Sequence, residues 1–253
     1  MIELIDIAAP ALLVGLLIAV VHVPFGVEVL KRGIIFIDLA IAQIAALGYL
    51  CSEIVFKESS PLISGLGAFT AAILGGTIFK VIENRQPDKQ EAWIGVFFVV
   101  SASLSILVLS SQPHGAEELS HILSGQILFT SYSDFLTYLP IYLILFTMAI
   151  RVTRAMTGLY FYALFALTIT LSVQVVGVYV VFASLIIPAL VFSRYKVGSH
   201  TPYVFSACSI LIGILGSTVF DVPAGPSLVV TYFLSAIFYI SIRSLSSRRG
   251  SHG

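Results

Sequence analysis

The chain has 253 residues, of which 58% are hydrophobic and only 10% are charged, and its mean hydropathy is +1.03. Soluble domains normally carry about a quarter of charged residues, so this composition excludes a soluble globular protein and indicates an integral membrane protein. The formal net charge is zero, and nothing in it points to a nucleic-acid partner. No segment is long enough for a soluble domain, so residues 1–253 are predicted to form a single transmembrane domain.

Apolar runs recur along the whole chain, each close to or somewhat below the roughly 20 residues that a membrane-spanning helix needs. They cover residues 8–24, 33–55, 61–82, 93–111, 135–150, 159–176, 178–193, 203–220 and 227–242. The sequence therefore predicts an all-α integral membrane protein with about nine transmembrane helices.

Basic residues follow every second predicted span. These residues are Lys31, Arg32, Lys80, Arg85, Lys89, Arg151, Arg154, Arg194, Lys196, Arg243, Arg248 and Arg249. If the spans alternate in direction, all of them fall on one side of the membrane and Lys57 falls on the other. The positive-inside rule then predicts that the N-terminus lies outside and the C-terminus lies in the cytoplasm.

The stretch from Gly177 to Lys196 is apolar but interrupted, and the rest of the chain is expected to be arranged around it. Only Gly177 separates the sixth and seventh spans, which predicts a tight hairpin of two short helices. Pro188 lacks a backbone N–H, so it is expected to kink the helix and leave a carbonyl near Ser184 without its donor. Such a carbonyl needs a partner in lipid, which favours a break that faces protein or a water-filled path. An ordinary proline kink is the alternative.

Residues 112–134, on the predicted outer side, are half polar and half apolar, with Gly115 and Gly125 as breaks. This pattern predicts a re-entrant or surface-lying helix near residues 114–130. Imidazole and carboxylate groups on one face of such a helix suit a borderline divalent cation such as zinc, and a solvated helix face gives the same pattern. The candidate metal ligands are His114, Glu117, Glu118 and His121.

Polar groups within spans are costly in lipid and often line a path. Asp38 and Gln43 lie in the second predicted span, but residues five apart do not share a helix face. Asp38 is expected near the inner end, either as an interfacial carboxylate paired with Arg32 or Lys31, or as a group facing the path. His22 closes the first predicted span, where an interfacial position is expected.

Four stretches resemble the permease subunits of zinc/manganese-type metal ABC importers. VVGVYVVFASLIIPALVFSR resembles that family's Val-Gly, apolar run and Ile-Pro-Ala segment ending in a basic residue. DVPAGPSLVVTYFLSAIF resembles its aspartate-x-Pro-x-Gly-Pro turn before the last helix. KRGIIFIDLAIAQIAALG and EELSHILSGQILFTSYSDFL are similar to its second helix and to its leucine-rich segment before the fifth helix.

The resemblance implies a divergent permease subunit of an ATP-binding-cassette importer for zinc, manganese or iron, or their chelates, in a bacterial inner or plasma membrane. It implies a homodimer that binds no cofactor itself, with ATP hydrolysed on a separate subunit and an extracytoplasmic metal-binding protein delivering the metal. A secondary transporter that uses Asp38 and Glu53, or a membrane partner that does not pump, are the alternatives.

The resemblance also assigns candidate residues to the functions of such a permease. The translocation path would include Asp38, Gln43, Ser184 and Pro188. The binding protein would dock on Asp221, Pro223, Gly225 and Pro226. The loops that face the ATPase would carry Arg151, Arg154, Arg194 and Lys196.

Two departures from the family pattern change its implications. Gln43 stands where the family has a path histidine, and an amide is a poorer zinc ligand than imidazole. Residues 151–158 replace a longer stretch that holds a short helix docking on the ATPase. Another metal or a chelate, and another coupling loop or a different partner, therefore remain open.

Overall fold

The computed structural model describes residues 2–56, 61–110, 115–153, 158–193 and 198–249, and their regular secondary structure is entirely helical. The α-helices are α1 (Ile2–Arg32), α2 (Ile37–Val55), α3 (Pro61–Arg85), α4 (Gln90–Leu109), α5 (Gly115–Ser124), α6 (Tyr132–Thr153), α7 (Leu159–Ser193), α8 (Thr201–Phe220) and α9 (Ala224–Arg249). Short 3₁₀ helices occur at Pro87–Lys89 and Ile127–Phe129. The predicted all-α class is confirmed.

Among the described residues, eight helices are long and apolar enough to cross a membrane, and α5 is the helix that is not. The sequence predicts about nine spans, against eight such helices, because it counts the two halves of α7 as its sixth and seventh spans. The connection between the predicted spans 61–82 and 93–111 is also shorter than those bounds indicate, since α3 continues to Arg85 and α4 begins at Gln90.

α7 turns back sharply at Gly177, whose φ of 77° and ψ of 165° are not helical. The hydroxyls of Ser172 and Ser184 lie 3.0 Å and 2.7 Å from the two ring nitrogens of His22. A straight helix would separate residues 172 and 184 by about 18 Å along its axis, far more than one imidazole can bridge. The two halves of α7 therefore form the hairpin that the sequence predicts.

α7 is the core of the bundle, and the other helices surround it. In its spanning segment 78% of the residues are buried, against 22% in α4 and 17% in α6. The outer faces of α4, α6, α8 and α9 carry exposed large apolar side chains, including Leu107 and Phe233. Lipid is the medium in which such faces are stable.

One end of the bundle, called the basic end here, joins the end of α1, the end of α3 and the starts of α4 and α7. Arg32 bonds Glu28 at 2.9 Å and lies 3.6 Å from Glu83, with its guanidinium 4.2 Å above the Phe161 ring. Helices that end in basic residues run towards this end, so it corresponds to the side that the sequence marks as rich in lysine and arginine.

The opposite end, called the glycine end, is held by close backbone contacts. Gly125 and Gly177 both have positive φ, and a Cβ on either would overlap the backbone of the other's segment. A Cβ on Gly225, at the start of α9, would overlap the carbonyl of Ser124. The backbone N–H of Gln126 donates to the carbonyl of Val175 at 3.1 Å. Residues 115–129 therefore form a short non-spanning segment, called the plug segment here, fixed on the α7 turn.

Candidate functional site

A cavity of about 470 Å³ lies in the half of the bundle nearer the glycine end. It is bounded by α2, α3, the plug segment, α6 and the first half of α7. Its lining residues are Ala42, Ala45, Ala46, Tyr49, Pro61, Gly65, Ala68, His121, Ile122, Gln126, Tyr138, Thr170, Val173 and Gln174. We call it the α2 cavity, because the small side chains of the alanines along α2 create much of its volume.

The polar groups of the α2 cavity are mostly neutral hydroxyls and amides. His121, about half exposed, accepts a hydrogen bond at Nδ1 from the Gln126 amide at 2.6 Å. This bond places the imidazole proton on Nε2, which lies 3.8 Å from a carboxylate oxygen of Glu117. The described lining contains neither a carboxylate nor a thiol. Such a surface is suited to passing a solvated cargo more than to holding a bare ion.

Asp38 lies on the same face of α2 as the cavity, one helical turn before Ala42 towards the basic end. Its side chain is only 1% exposed, and neither carboxylate oxygen has a hydrogen-bond partner in the described part of the chain. The predicted pairing with Arg32 is not formed, because Arg32 bonds Glu28 and lies against Glu83. Asp38 lies in the first turn of α2, near the basic end, and a role in the path stays a prediction.

The other residues predicted for the path do not line the α2 cavity. Gln43 is buried on a different face of α2, and Ser184 and Pro188 are buried in the second half of α7. The backbone dihedral angles stay helical through Pro188, so the chain reverses at Gly177 and not at Pro188. A role for these three residues in the path stays a prediction.

A chain of buried side-chain hydrogen bonds surrounds His22, and the sequence does not predict it. His22 is fully buried, although an interfacial position was expected. Its Nε2 is 3.0 Å from the hydroxyl of Ser172, which in turn is 2.9 Å from the hydroxyl of Tyr142. Its Nδ1 is 2.7 Å from Ser184. The chain links α1, α6 and both halves of α7.

The predicted outer metal ligands are only partly described. His114 and the side chain of Glu118 lie outside the described residues. Glu117 and His121 share one face of α5, as the spacing predicts. Within the described chain no three or more His, Cys, Asp or Glu side chains are grouped so as to hold a metal ion. A metal site at α5 stays a prediction.

The turn predicted to dock a binding protein lies at the glycine end, between α8 and α9. Asp221 ends α8 in a left-handed conformation with φ of 49°, and it is exposed together with Pro223 and Pro226. Gly225 is instead buried against the backbone of Ser124. Three residues of the predicted set are therefore accessible, and Gly225 holds the turn against the plug segment.

Of the residues predicted to face an ATPase, only Arg151 is described. It is exposed in the last turn of α6, at the basic end. Arg154, Arg194 and Lys196 lie outside the described residues.

Comparison with known proteins identifies relatives that match most of the chain. The manganese transport system membrane protein MntC of Halalkalibacterium halodurans is 25% identical, covering 90% of this chain and 84% of that protein. The high-affinity zinc uptake system membrane protein ZnuB of Haemophilus influenzae is 25% identical, covering 89% and 93%. An uncharacterized membrane protein of Cyanophora paradoxa, from the ycf23-apcF intergenic region, is 30% identical, covering 74% and 69%.

The fold is also that of a solved structure, PsaBC from Streptococcus pneumoniae in complex with Fab. The TM-score is 0.71 at 21% identity, with 94% of this chain and 95% of that chain covered. The sequence further matches the ABC 3 transport family over residues 4–161 and 151–243. With its eight apolar helices among the described residues, the chain is a multi-pass membrane protein that belongs to the ABC 3 transport family.

Proposed function

We propose that this chain is the membrane permease subunit of an ATP-driven importer of divalent metal ions or their chelates. The observation that carries the proposal is the family match, which extends over residues 4–161 and 151–243 and so includes every helix of the bundle. Relatives of similar length are named as manganese and zinc transport membrane proteins. The α2 cavity supplies the internal space that such a permease needs.

The chain would work with other subunits. ATP would be bound and hydrolysed on a separate subunit, and a metal-binding protein would deliver the metal ion from outside. Two copies of the chain would form the permease, since closed two-fold assemblies are the commonest arrangement of identical subunits. The positive-inside rule would place the basic end in the cytoplasm of a bacterial cell and the glycine end outside.

The cavity's position suggests how the permease would alternate between states. The α2 cavity lies towards the glycine end, while the first turns of α2 are packed shut by buried Ile37 and Ile41. In the proposed orientation this arrangement is accessible from outside and closed to the cytoplasm. ATP-driven closure of the partner subunits would then separate α2 from its neighbours at the basic end and release the cargo.

The test is transport by the reconstituted complex. We expect the chain to co-purify with an ATP-binding subunit from the same genome, and expect metal loaded on the binding protein to stimulate ATP turnover and uptake in liposomes. Manganese, zinc and iron would be compared in parallel. A partner subunit that cannot hydrolyse ATP is the control and should abolish uptake. Metal uptake that persists with that partner, or flux through the chain alone, would contradict the proposal and support a gradient-driven transporter.

A further inference from the structure

Two carboxylates meet at the basic end, between the start of α2 and the start of α4. Glu91 Oε1 accepts a hydrogen bond from the backbone N–H of Phe36 at 3.2 Å, and Phe36 is the residue that caps α2. Asp38 follows two residues after Phe36, in the first turn of α2, so its carboxylate lies near that of Glu91. Residues from two helices thus bring two negative groups to one place.

Three of the four carboxylate oxygens in this pair are buried without a partner. Asp38 Oδ1, Asp38 Oδ2 and Glu91 Oε2 have no hydrogen-bond partner among the described residues. The backbone N–H groups of Asp38 and Leu39 face the Asp38 carboxylate, but neither donates a well-formed hydrogen bond to it. Buried polar atoms normally have partners, so an unpaired set of acceptors indicates a missing donor or cation.

No basic side chain in the described part of the chain lies within hydrogen-bonding distance of these three oxygens. Arg32 bonds Glu28 and lies against Glu83, and Lys80 bonds Glu83 at 2.6 Å. The start of α2 contributes a partial positive charge, which compensates only part of the charge on two carboxylates. Like charges this close disfavour each other unless a proton or a cation lies between them.

We propose that Asp38 and Glu91 bind a divalent cation between α2 and α4. Both residues offer only oxygen ligands, which favour hard cations such as Mn²⁺ and Mg²⁺ over zinc. The site differs from the predicted His114, Glu117, Glu118 and His121 set, which lies at the other end of the bundle. Its remaining ligands would be water and backbone carbonyls.

The proposed site lies on the face of α2 that also lines the α2 cavity. Asp38 is one helical turn from Ala42 and two from Ala45 and Ala46, all on one face of α2. A cation that passed down the cavity would reach this carboxylate at the closed, basic end. That the bound cation is the transported one rests on the proposed function; that the pair binds a cation does not.

The test is Mn²⁺ binding to the purified full chain in lipid nanodiscs, followed by the loss of the electron paramagnetic resonance signal of free Mn²⁺. We expect wild type to bind, and expect Asp38→Asn and Glu91→Gln each to weaken that binding at least tenfold. The double variant should bind at least as weakly as either single variant, because both carboxylates belong to one site. Asp88→Asn is the matched control: it removes an exposed carboxylate at the same end and should leave binding unchanged.

Equal Mn²⁺ affinity in wild type and both variants, or no binding by wild type, would overturn the proposal and leave a shared proton as the counter-charge. Size-exclusion profiles and thermal unfolding identify a variant that fails to fold. If Asp38→Asn fails in this way, Glu91→Gln decides, since Glu91 is partly exposed. Mn²⁺ binding without ATP-dependent uptake would contradict the proposed function alone, so the two failures are distinguishable.

Discussion

His22 is stable in the apolar core because both of its ring nitrogens are satisfied. A single tautomer satisfies every group: Tyr142 donates to Ser172, Ser172 donates to Nε2, Nδ1–H donates to Ser184, and Ser184 donates to the Val181 carbonyl. A neutral imidazole between two hydroxyls avoids the cost of burying a charge. The chain of bonds joins the two halves of α7 across the turn at Gly177.

We expect His22→Leu to destabilise the protein by about 1–3 kcal/mol, because it removes two interhelical hydrogen bonds within the membrane. Tyr142→Phe removes only the outermost bond and should cost about 1 kcal/mol or less. Thermal unfolding of the purified chain in detergent would measure both values. A His22→Leu variant as stable as wild type would show that the imidazole does not hold the hairpin.

The sequence misplaced His22 for a physical reason. Pro24 and Gly26 follow it closely, and a proline so near the end of an apolar run predicts that the helix ends there. In the structure α1 continues through both residues to Arg32. The carbonyl of Leu185 lies where a Cβ on Gly26 would be, so glycine permits the close packing of α1 on α7. The burial of His22 results from tertiary packing, which the periodicity of the sequence does not reveal.

At the scale of elements, the turn of α7 depends on glycine. Gly177 needs its positive φ, and a Cβ there would overlap the backbone nitrogen of Gly125. Both positions must be glycine for the plug segment to reach the turn, since backbone cannot move aside as a flexible side chain can.

We expect Gly177→Ala to destabilise the fold by at least about 2 kcal/mol, from unfavourable dihedral angles and overlap with backbone. The yield of monodisperse protein and its unfolding temperature should both fall. Gly95→Ala in α4 is the control, because a Cβ there meets nothing within 4 Å and alanine favours helix. Normal behaviour of Gly177→Ala would mean that the turn tolerates a side chain.

The sequence predicted two of these elements correctly. The hairpin at Gly177 and a non-spanning segment near residues 114–130 are both present. Pro188 lies within the second half of α7, where the backbone dihedral angles stay helical, so a bend of the helix there stays a prediction. Sequence shows where a helix is able to break, and packing decides where it does.

At the scale of the whole molecule, the charge pattern predicted the arrangement of the ends, and the cavity was not predictable. Among the described residues, Arg32, Arg85 and Arg151 follow alternate predicted spans and lie in the last turns of α1, α3 and α6, at the basic end. The α2 cavity, by contrast, is formed by small side chains such as Ala42, Ala45 and Ala46 meeting four other elements. In a sequence, alanines on a helix are equally compatible with close contact between helices and with a cavity. Only the assembled bundle distinguishes the two.

In the proposed function, coupling to an ATP-binding subunit would need a surface of the basic end other than the connection between α6 and α7. α6 ends at Thr153 and α7 begins at Leu159, so residues 154–158 are too few for a docking helix and its loops. The 3₁₀ turn Pro87–Lys89, exposed beside the start of α4, is a described surface at the same end. This turn leads directly into α4, whose residue Glu91 accepts a hydrogen bond from the backbone N–H of Phe36 at the start of α2. In the proposed function, this contact would relay movement of a partner subunit to the helix that lines the cavity.

If the α2 cavity is the path, filling it should stop transport without unfolding the protein. Ala46 lines the cavity and is 9% exposed, so Ala46→Phe would place a ring in that space. We expect metal uptake by the reconstituted complex to fall at least tenfold while thermal stability and co-purification with the ATPase remain. Val99→Phe is the control, because Val99 is 58% exposed on the lipid-facing side of α4. Full uptake by Ala46→Phe would place the path elsewhere, and Gln43, Ser184 and Pro188 would then become the residues to test.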